Sequence, residues 1–209
     1  MDGRETMIER LRSGGVADTR VLEAMASVPR EEYVLVGDRD DAYADRALPI
    51  GEGQTISQPL MVAILVAALE LHPGDIALDI GTGSGYQAAV MAACGARVIS
   101  VERLPELAER AAERLGRLGV DVEVVATDGS VGLPDRAPFD AIGVGAAAPR
   151  LPVALARQLR EGGRLVVPIR GGPEGEELTR LRLRGGSWLT ENLGPCRFVP
   201  LIGIDGFKE

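Results

Sequence analysis

The sequence is poor in nearly every side chain that carries chemistry on its own. Aromatic residues make up 3% of its 209 positions, so its core must be filled by Val, Leu, Ile and Ala, the usual content of a sheet covered by helices on both faces. One histidine, His72, and two cysteines, Cys94 and Cys196, without CxxC spacing cannot assemble a four-ligand zinc site. The same shortage excludes a Ser-His-Asp hydrolase, because His72 precedes a Pro73-Gly74 turn and would have to serve every role; it is read as a surface residue. Lys208 is the only lysine, a bias that carries no functional reading. Positive charge is short overall, with 23 Lys and Arg against 31 Asp and Glu and a formal net charge of −8. A surface of that sign repels phosphate backbones and anionic membranes, so neither nucleic acid nor membrane is expected as a partner. Residues 1–13 hold no apolar signal core, which points to the cytoplasm. The longest apolar run, residues 60–69, falls far short of the ~18 to 20 residues that cross a bilayer and reads as a buried helix.

What the chain does have is aliphatic content, 45% apolar over 209 residues, enough for one domain of ordinary size. Residues 1–209 read as a single domain, with 1–58 a helical flank and loop and 59–209 a sheet core. Two amphipathic segments, 5–11 and 18–28, open the flank; the second begins at an Asp18-Thr19 pair suited to N-capping and stops before Pro29. From Ala44 to Pro59 periodicity disappears into a loop too long to be idle. From Asp75 onward, β-branched runs alternate with helical patterns: strands are expected at 76–80, 97–101, 122–126, 141–144 and 164–169. Helices are expected at 86–94 and 104–118, and a shorter connection at 128–138. That alternation specifies an α/β fold with a doubly wound, mostly parallel sheet, in which ligands sit at the carboxyl ends of the strands. After Pro173, residues 177–184 alternate Leu with polar residues and 198–204 form a second apolar run; together they predict an antiparallel C-terminal edge, joined through an exposed glycine-rich turn at 171–175.

The run Leu78-Asp79-Ile80-Gly81-Thr82-Gly83-Ser84-Gly85 closes a predicted strand and opens a predicted helix. Its glycines let the backbone pass close beneath a ligand where a Cβ would collide. A dinucleotide fingerprint needs a further glycine where Tyr86 stands, since helix and strand pack closely there; an NAD-linked oxidoreductase is therefore disfavoured. S-adenosylmethionine has no phosphate but carries a cationic amino group and a sulfonium, which suits an acid, Asp79, beside the turn. Glu102 ends the next strand, 23 residues beyond Asp79, where a carboxylate can accept both hydroxyls of a ribose. Asp128-Gly129 follows the third strand, an acid and a flexible backbone suited to flanking adenine. Each acid alone has a bland reading as a cap, a solvated strand end or an Asp-Gly turn. All three at the ends of consecutive strands are far more specific than any one.

Around these residues the sequence resembles the protein-L-isoaspartate (D-aspartate) O-methyltransferase family, in ALPIGEGQTISQP (47–59), LDIGTGSGY (78–86), APFDAI (137–142), GAAAP (145–149), EGGRLVVPI (161–169) and RFVPL (197–201). The glycine motif is shared by many methyltransferases, whereas Thr55-Ile56-Ser57-Gln58-Pro59 and Val199-Pro200-Leu201 are particular to this family. The resemblance implies a seven-stranded, Rossmann-like methyltransferase sheet with its last two strands exchanged in order and helices at the N-terminus. It implies S-adenosylmethionine as methyl donor, S-adenosylhomocysteine as product and no metal. The acceptor would be the α-carboxylate of L-isoaspartyl residues in damaged proteins and peptides, and the ester would close to a succinimide that partly opens to aspartate. A cytoplasmic monomer acting in protein repair is expected.

By the same resemblance Ser57 is catalytic, at the reacting carboxylate, with Ile56 and Val199 beside the substrate backbone. Gln58, Pro59, Leu60 and Met61 lie next to the donor; Asp79, Gly81, Thr82, Gly83, Ser84 and Gly85 hold its methionine end; Glu102 takes the ribose, and Asp128 and Gly129 the adenine. A carboxylate acceptor is already ionised at neutral pH, so the lack of a His or Lys base is expected. The alternatives are a same-fold methyltransferase of a small metabolite or an ordinary peptide aspartate, and a protein that binds the donor without catalysis.

Overall fold

A computed structural model describes residues 3–208 apart from 173 and 174. The amphipathic segments form helices α1 (Gly3–Ser13) and α2 (Thr19–Ser27). Asp18 caps α2, its carboxylate accepting from the backbone N–H groups of Arg20 at 2.9 Å and Val21 at 3.3 Å, which satisfies two donors the first turn leaves open. Two short 3-10 turns follow, Arg30–Tyr33 and Val36–Asp41. The aperiodic loop expected before Pro59 is instead largely a hairpin, β1 (Leu48–Gly51) against β2 (Gln54–Ile56). Leu48, Ile50 and Ile56 turn inward while Pro49 and Thr55 face water, but four residues of alternation are too few to register as a strand in sequence. Next come α3 (Pro59–Ala68), β3 (Ile76–Ile80), α4 (Tyr86–Ala93), β4 (Arg97–Glu102), α5 (Pro105–Arg117), β5 (Val122–Ala126), β6 (Phe139–Val144), α6 (Val153–Ala156), β7 (Leu159–Gly172), β8 (Gly175–Arg184) and β9 (Ser187–Cys196).

The seven strands β3 to β9 form one sheet in the order β5-β4-β3-β6-β7-β8-β9. Strands β3 to β7 are parallel; β8 and β9 are antiparallel and follow in chain order. The antiparallel edge is therefore present, with a correction to its makeup: the partner of β8 is β9, not residues 198–204. β9 is mostly exposed, as an edge strand with one free side is, and so lacks the apolar run that would have marked it. The 198–204 segment spends its apolar side chains elsewhere, crossing the end of β6, where Ala147 N–H donates to Val199 O and Leu201 N–H to Ala147 O, both at 2.8 Å. Of the expected turn at 171–175, residues 173 and 174 lie outside the described residues, and Gly171 and Gly175 beside them are exposed.

Alternation along the strands divides the core into two layers. Ala77, Val98, Ala141 and Val166 face α3, α4 and the N-terminal helices, sharing a buried cluster with Met7, Leu11, Met25, Leu65 and Met91. Leu78, Ile99, Ile142 and Leu165, adjacent along the strands, face Leu155 of α6 and the C-terminal Leu201. At the amino ends of the strands Arg164 is buried; its Nε donates to Leu69 O at 2.6 Å, its Nη2 bonds Glu70 O, and Nη2 lies 3.2 Å from Asp75 Oδ2. A cation there satisfies the open carbonyls at the end of α3 and complements the helix dipole. Removing one member of a buried pair strands the other, so Arg164→Ala is expected to lower unfolding free energy by about 3–5 kcal/mol in urea titrations followed by circular dichroism; a loss below about 1 kcal/mol would reduce the pair to a surface-type contact.

Candidate active site

Strands β3, β4 and β5 run in register, Asp79 opposite Ser100 and Glu102 opposite Ala126, so all three end at one edge of the sheet. The chain leaves β3 through Gly81, Gly83 and Gly85, with φ of +90°, +51° and +89°, a left-handed backbone in which a side chain is strained. The N–H groups of Gly81 and Thr82 both bond Val101 O, at 2.8 and 3.1 Å, and fasten the turn to β4. Gly145, just beyond β6, donates to Ile80 O at 2.8 Å, and a methyl group on it would lie 3.4 Å from Gly81 O. Two bare backbones thus face each other with room left by the missing side chains.

Asp79 stands beneath this turn with 0% exposure. Its Oδ1 accepts from Gln87 Nε2 at 2.7 Å and its Oδ2 from the Ser100 hydroxyl at 2.6 Å. Because Ser100 spends its proton on Asp79, the 2.5 Å contact between Ser100 and Thr82 hydroxyls requires Thr82 to donate, making a chain Thr82 to Ser100 to Asp79. Burial pushes the Asp79 carboxyl up to about 6, against these hydrogen bonds and with the neighbouring Glu102 charge adding to the rise. Glu102 is also buried; one oxygen accepts from Gly83 N–H at 2.9 Å and the other from Leu104 N–H at 3.1 Å. Asp128 accepts from Ser130 N–H at 2.8 Å and from Ile204 N–H at 2.7 Å. Burial alone would raise its carboxyl, but the Ile204 N–H and then the Ser130 contacts outweigh it and hold it below the ordinary carboxylate value.

A narrow cleft of about 60 Å³ opens at this edge. Gly81, Gly83, Glu102 and Gly129 wall one side, the hairpin residues Gln54 and Thr55 and the C-terminal segment Val199 to Ile202 the other. A smaller hollow shares Thr55, Gly81, Gly83 and Gly145 with it and adds Ile56, Ser57, Thr82, Ser84 and Gln87. A larger hollow, among Ala89, Ala92, Val98, Leu118 and Val120, has neither the glycine turn nor the acid row, so the site is assigned to the smaller cleft.

Most of the residues expected from sequence are thus brought together, and the exceptions are informative. Asp79 lies behind the turn instead of on the wall, and Asp128 is turned toward the C-terminal segment. Gly85 faces Leu115 of α5, its missing Cβ leaving 3.2 Å to Leu115 Cδ1. Gln58, Pro59, Leu60 and Met61 line neither hollow; Gln58 Nε2 donates instead to Asp45 Oδ2 at 2.8 Å, so their place beside a donor rests on the family resemblance alone. The Ser57 hydroxyl makes no hydrogen bond among the described residues, and Gln58, not Ser57, is the N-cap of α3. Gln87, Ser100, Thr55 and Gly145 also belong to the site, although no role is expected for them from the sequence. Two of them carry a usable signal: Gly145 is a glycine directly after a buried strand, as Gly81 is, and Thr55 opens the run 55–59 that is particular to the family. His72 is on the surface, 3.8 Å from Asp75, and no cluster of metal-binding side chains occurs among the described residues.

A sequence model described as protein-L-isoaspartate(D-aspartate) O-methyltransferase matches residues 2–206. A protein-L-isoaspartate O-methyltransferase of Methanoculleus marisnigri is 51% identical over 207 residues, covering 98% of this chain and 94% of that one. One from a Roseiflexus species is 52% identical, covering 96% and 92%. A solved structure from Plasmodium falciparum, described as a protein-L-isoaspartate O-methyltransferase in complex with S-adenosyl-L-homocysteine, superimposes with a TM-score of 0.83 at 28% identity, covering 97% of this chain and 99% of that one.

An acid whose folded pKa lies above its ordinary value of 3.8 favours the fold while protonated. For Asp79 that contribution is complete below the ordinary value and is lost once the pH has risen past about 6. An Asn at this position stays neutral, accepts from Gln87 and donates to Ser100, which can then donate to Thr82. Asp79→Asn is therefore expected to stabilise the ligand-free protein increasingly between pH 4 and 7, by roughly 1–3 kcal/mol at the upper end. Paired urea melts across that range check it, and a difference that does not vary with pH would refute the burial penalty.

Proposed function

The chain belongs to the protein-L-isoaspartate(D-aspartate) O-methyltransferase family, and on that premise we propose how its residues divide the work of an S-adenosylmethionine-dependent protein-L-isoaspartate O-methyltransferase. The observation that carries the assignment is that Ile56-Ser57 and the glycine turn wall one hollow, so a group held by the first and a group cradled by the second would meet. The residues fit the donor: the facing backbones of Gly81 and Gly145 leave a cradle that side chains would fill, and Glu102 stands on its wall. When bound, S-adenosylmethionine supplies a sulfonium-activated methyl group for a carboxylate oxygen and leaves as S-adenosylhomocysteine.

Glu102 accepts from the ribose hydroxyls, since each of its oxygens keeps acceptor capacity beyond its one backbone bond. Asp128 and Gly129 flank the adenine. Gly81, Thr82, Gly83, Ser84 and Gly85 bring backbone to the methionine end, and Asp79 acts from behind them as a fixed negative charge. Gln58, Pro59, Leu60 and Met61 complete the donor side, and Ile56 and Val199 hold the substrate backbone. Ser57 directs its free hydroxyl to the substrate carboxylate, which needs no base because it is ionised at neutral pH. Alignment of that oxygen behind the methyl carbon is worth roughly 7–11 kcal/mol in the best intramolecular cases. The hairpin and the C-terminal segment exclude water, and a drier site favours a step in which opposite charges cancel.

The physiological role that follows is repair of isoaspartyl proteins by a cytoplasmic, monomeric, single-domain enzyme. Its net charge of −8 argues against nucleic-acid and membrane partners, and no helix among the described residues is long and apolar enough to cross a membrane. With labelled S-adenosylmethionine and matched peptides, methyl transfer is expected to the isoaspartyl and not the aspartyl form; equal labelling would favour a general aspartate methyltransferase. Ser57→Ala removes one hydrogen bond worth about 0.5–1.5 kcal/mol net, but lost alignment adds to it. A fall in kcat of about 10- to 100-fold with smaller change in KM is expected in steady-state kinetics, and an unchanged kcat would remove Ser57 from the reacting centre.

A further inference from the structure

Arg30 lies in neither wall of the cleft, yet its contacts reach both. It opens the 3-10 turn Arg30–Tyr33 and is fully buried, with 0% exposure. Its Nε donates to Ala42 O at 2.8 Å and its Nη2 to Ser57 O at 2.7 Å. Its guanidinium carbon lies 4.7 Å from the centre of the Tyr86 ring, and Tyr86 is the residue that follows Gly85 and starts α4. No carboxylate lies within salt-bridge distance of it among the described residues. A charge taken out of water with no directly paired acid, only the more distant Asp45 charge acting on it, is costly, and its burial lowers its own pKa. Fold stability alone would be served as well by an apolar side chain of similar volume.

The two carbonyls bound by Arg30 sit at either end of the hairpin excursion, Ala42 before β1 and Ser57 after β2. Holding the Ser57 carbonyl orients the peptide plane between Ser57 and Gln58, and with it the direction in which the Ser57 hydroxyl leaves the chain. The planar fork suits this task, because Nε and Nη2 point in fixed directions while the guanidinium face remains available for the Tyr86 ring. Tyr86, also buried, is edge-packed against Tyr33 at 5.4 Å, which holds the ring that receives the cation.

We propose that Arg30 is a positioning residue for methyl transfer: its guanidinium, set between the Ser57 carbonyl and the face of Tyr86, holds the substrate loop at a set distance from the glycine turn. This rests on the reading of Ser57 as the residue at the reacting carboxylate. It acts through Ser57 and Tyr86 and touches neither donor nor acceptor.

Arg30→Lys keeps the charge but not the fork, and Arg30→Met keeps the length without charge or donors. Each is compared with the parent by calorimetric titration of S-adenosylhomocysteine, which counts folded sites, and by steady-state turnover of an isoaspartyl peptide per counted site. The expected result is an affinity for S-adenosylhomocysteine within about threefold of the parent, with kcat per site down about 10-fold in Arg30→Lys and about 100-fold in Arg30→Met, the scale of a small misplacement of reacting groups. Unchanged kcat per site in either variant overturns the proposal. So does a loss of donor affinity in step with turnover, which marks a merely structural arginine. Should Arg30→Met not fold, the Arg30→Lys comparison alone decides. A parent that binds S-adenosylhomocysteine but methylates no isoaspartyl peptide would instead defeat the functional reading on which the proposal stands.

Discussion

A carboxylate without access to water stands near the end of the interior strand β3, and much of the site exists to keep it there. Asp79 is fully buried, its pKa displaced to about 6, and a lone charge in that position would unfold the edge of the sheet or take up a proton. It is held because parallel pairing sets Ser100 directly across from it on β4 and because Gln87, the second residue of α4, reaches back to its other oxygen. The same contacts locate the ligand wall. Thr82, which completes the hydroxyl chain to Asp79, is itself part of the glycine turn, so the charge, the strand register and the backbone at the cleft are one hydrogen-bonded unit. Gly143 on β6 contributes by absence: a Cβ there would lie 3.1 Å from Leu69 and 3.5 Å from Gln87 Nε2.

The opposite wall has no such framework and is assembled from distant pieces of chain. The hairpin β1–β2 and the segment Val199 to Ile202 both reach the glycine turn, one from before the sheet and one from after it. The C-terminal segment is tied by backbone bonds to Ala147 and by the Ile204 N–H to Asp128, so an acid just past the end of β5 also fastens the strap that walls the cleft. The hairpin is tied by Arg30 at both of its ends. A methyl transferase for a bulky acceptor needs a donor side that does not move and an acceptor side that encloses a peptide; a rigid sheet edge facing two fastened loops meets both needs.

Where local pattern and fold part company, the causes are physical. β9 carries no apolar signature because neither of its faces is buried, with no buried residue from Ser187 to Cys196, whereas residues 198–204 are apolar for another purpose, packing across the end of β6. The hairpin has the pattern of a loop because its turn, Gly51-Glu52-Gly53, all at positive φ, leaves strands too short to display a period. Ser100 and Gln87 carry no local signal, because nothing in a serine on a strand or a glutamine on a helix marks it as a partner of a carboxylate some 21 or 8 residues away; pairing of that kind is a property of register and helix phase.

From the sequence alone came whatever depends on local pattern: the alternation of β-branched runs and amphipathic helices, hence a parallel sheet with its ligand edge at the strand ends, the glycines of the turn, and the row of Asp79, Glu102 and Asp128. These are legible because backbone geometry limits which residues a strand, a helix or a left-handed turn accepts. Only the tertiary structure decided which of the three acids lies on the wall and which behind it, how the Ser57 loop is held against the glycine turn, and what the C-terminal apolar run covers. Those depend on distances between segments far apart in the chain, and such distances are set by packing a common core, which no short stretch of sequence encodes.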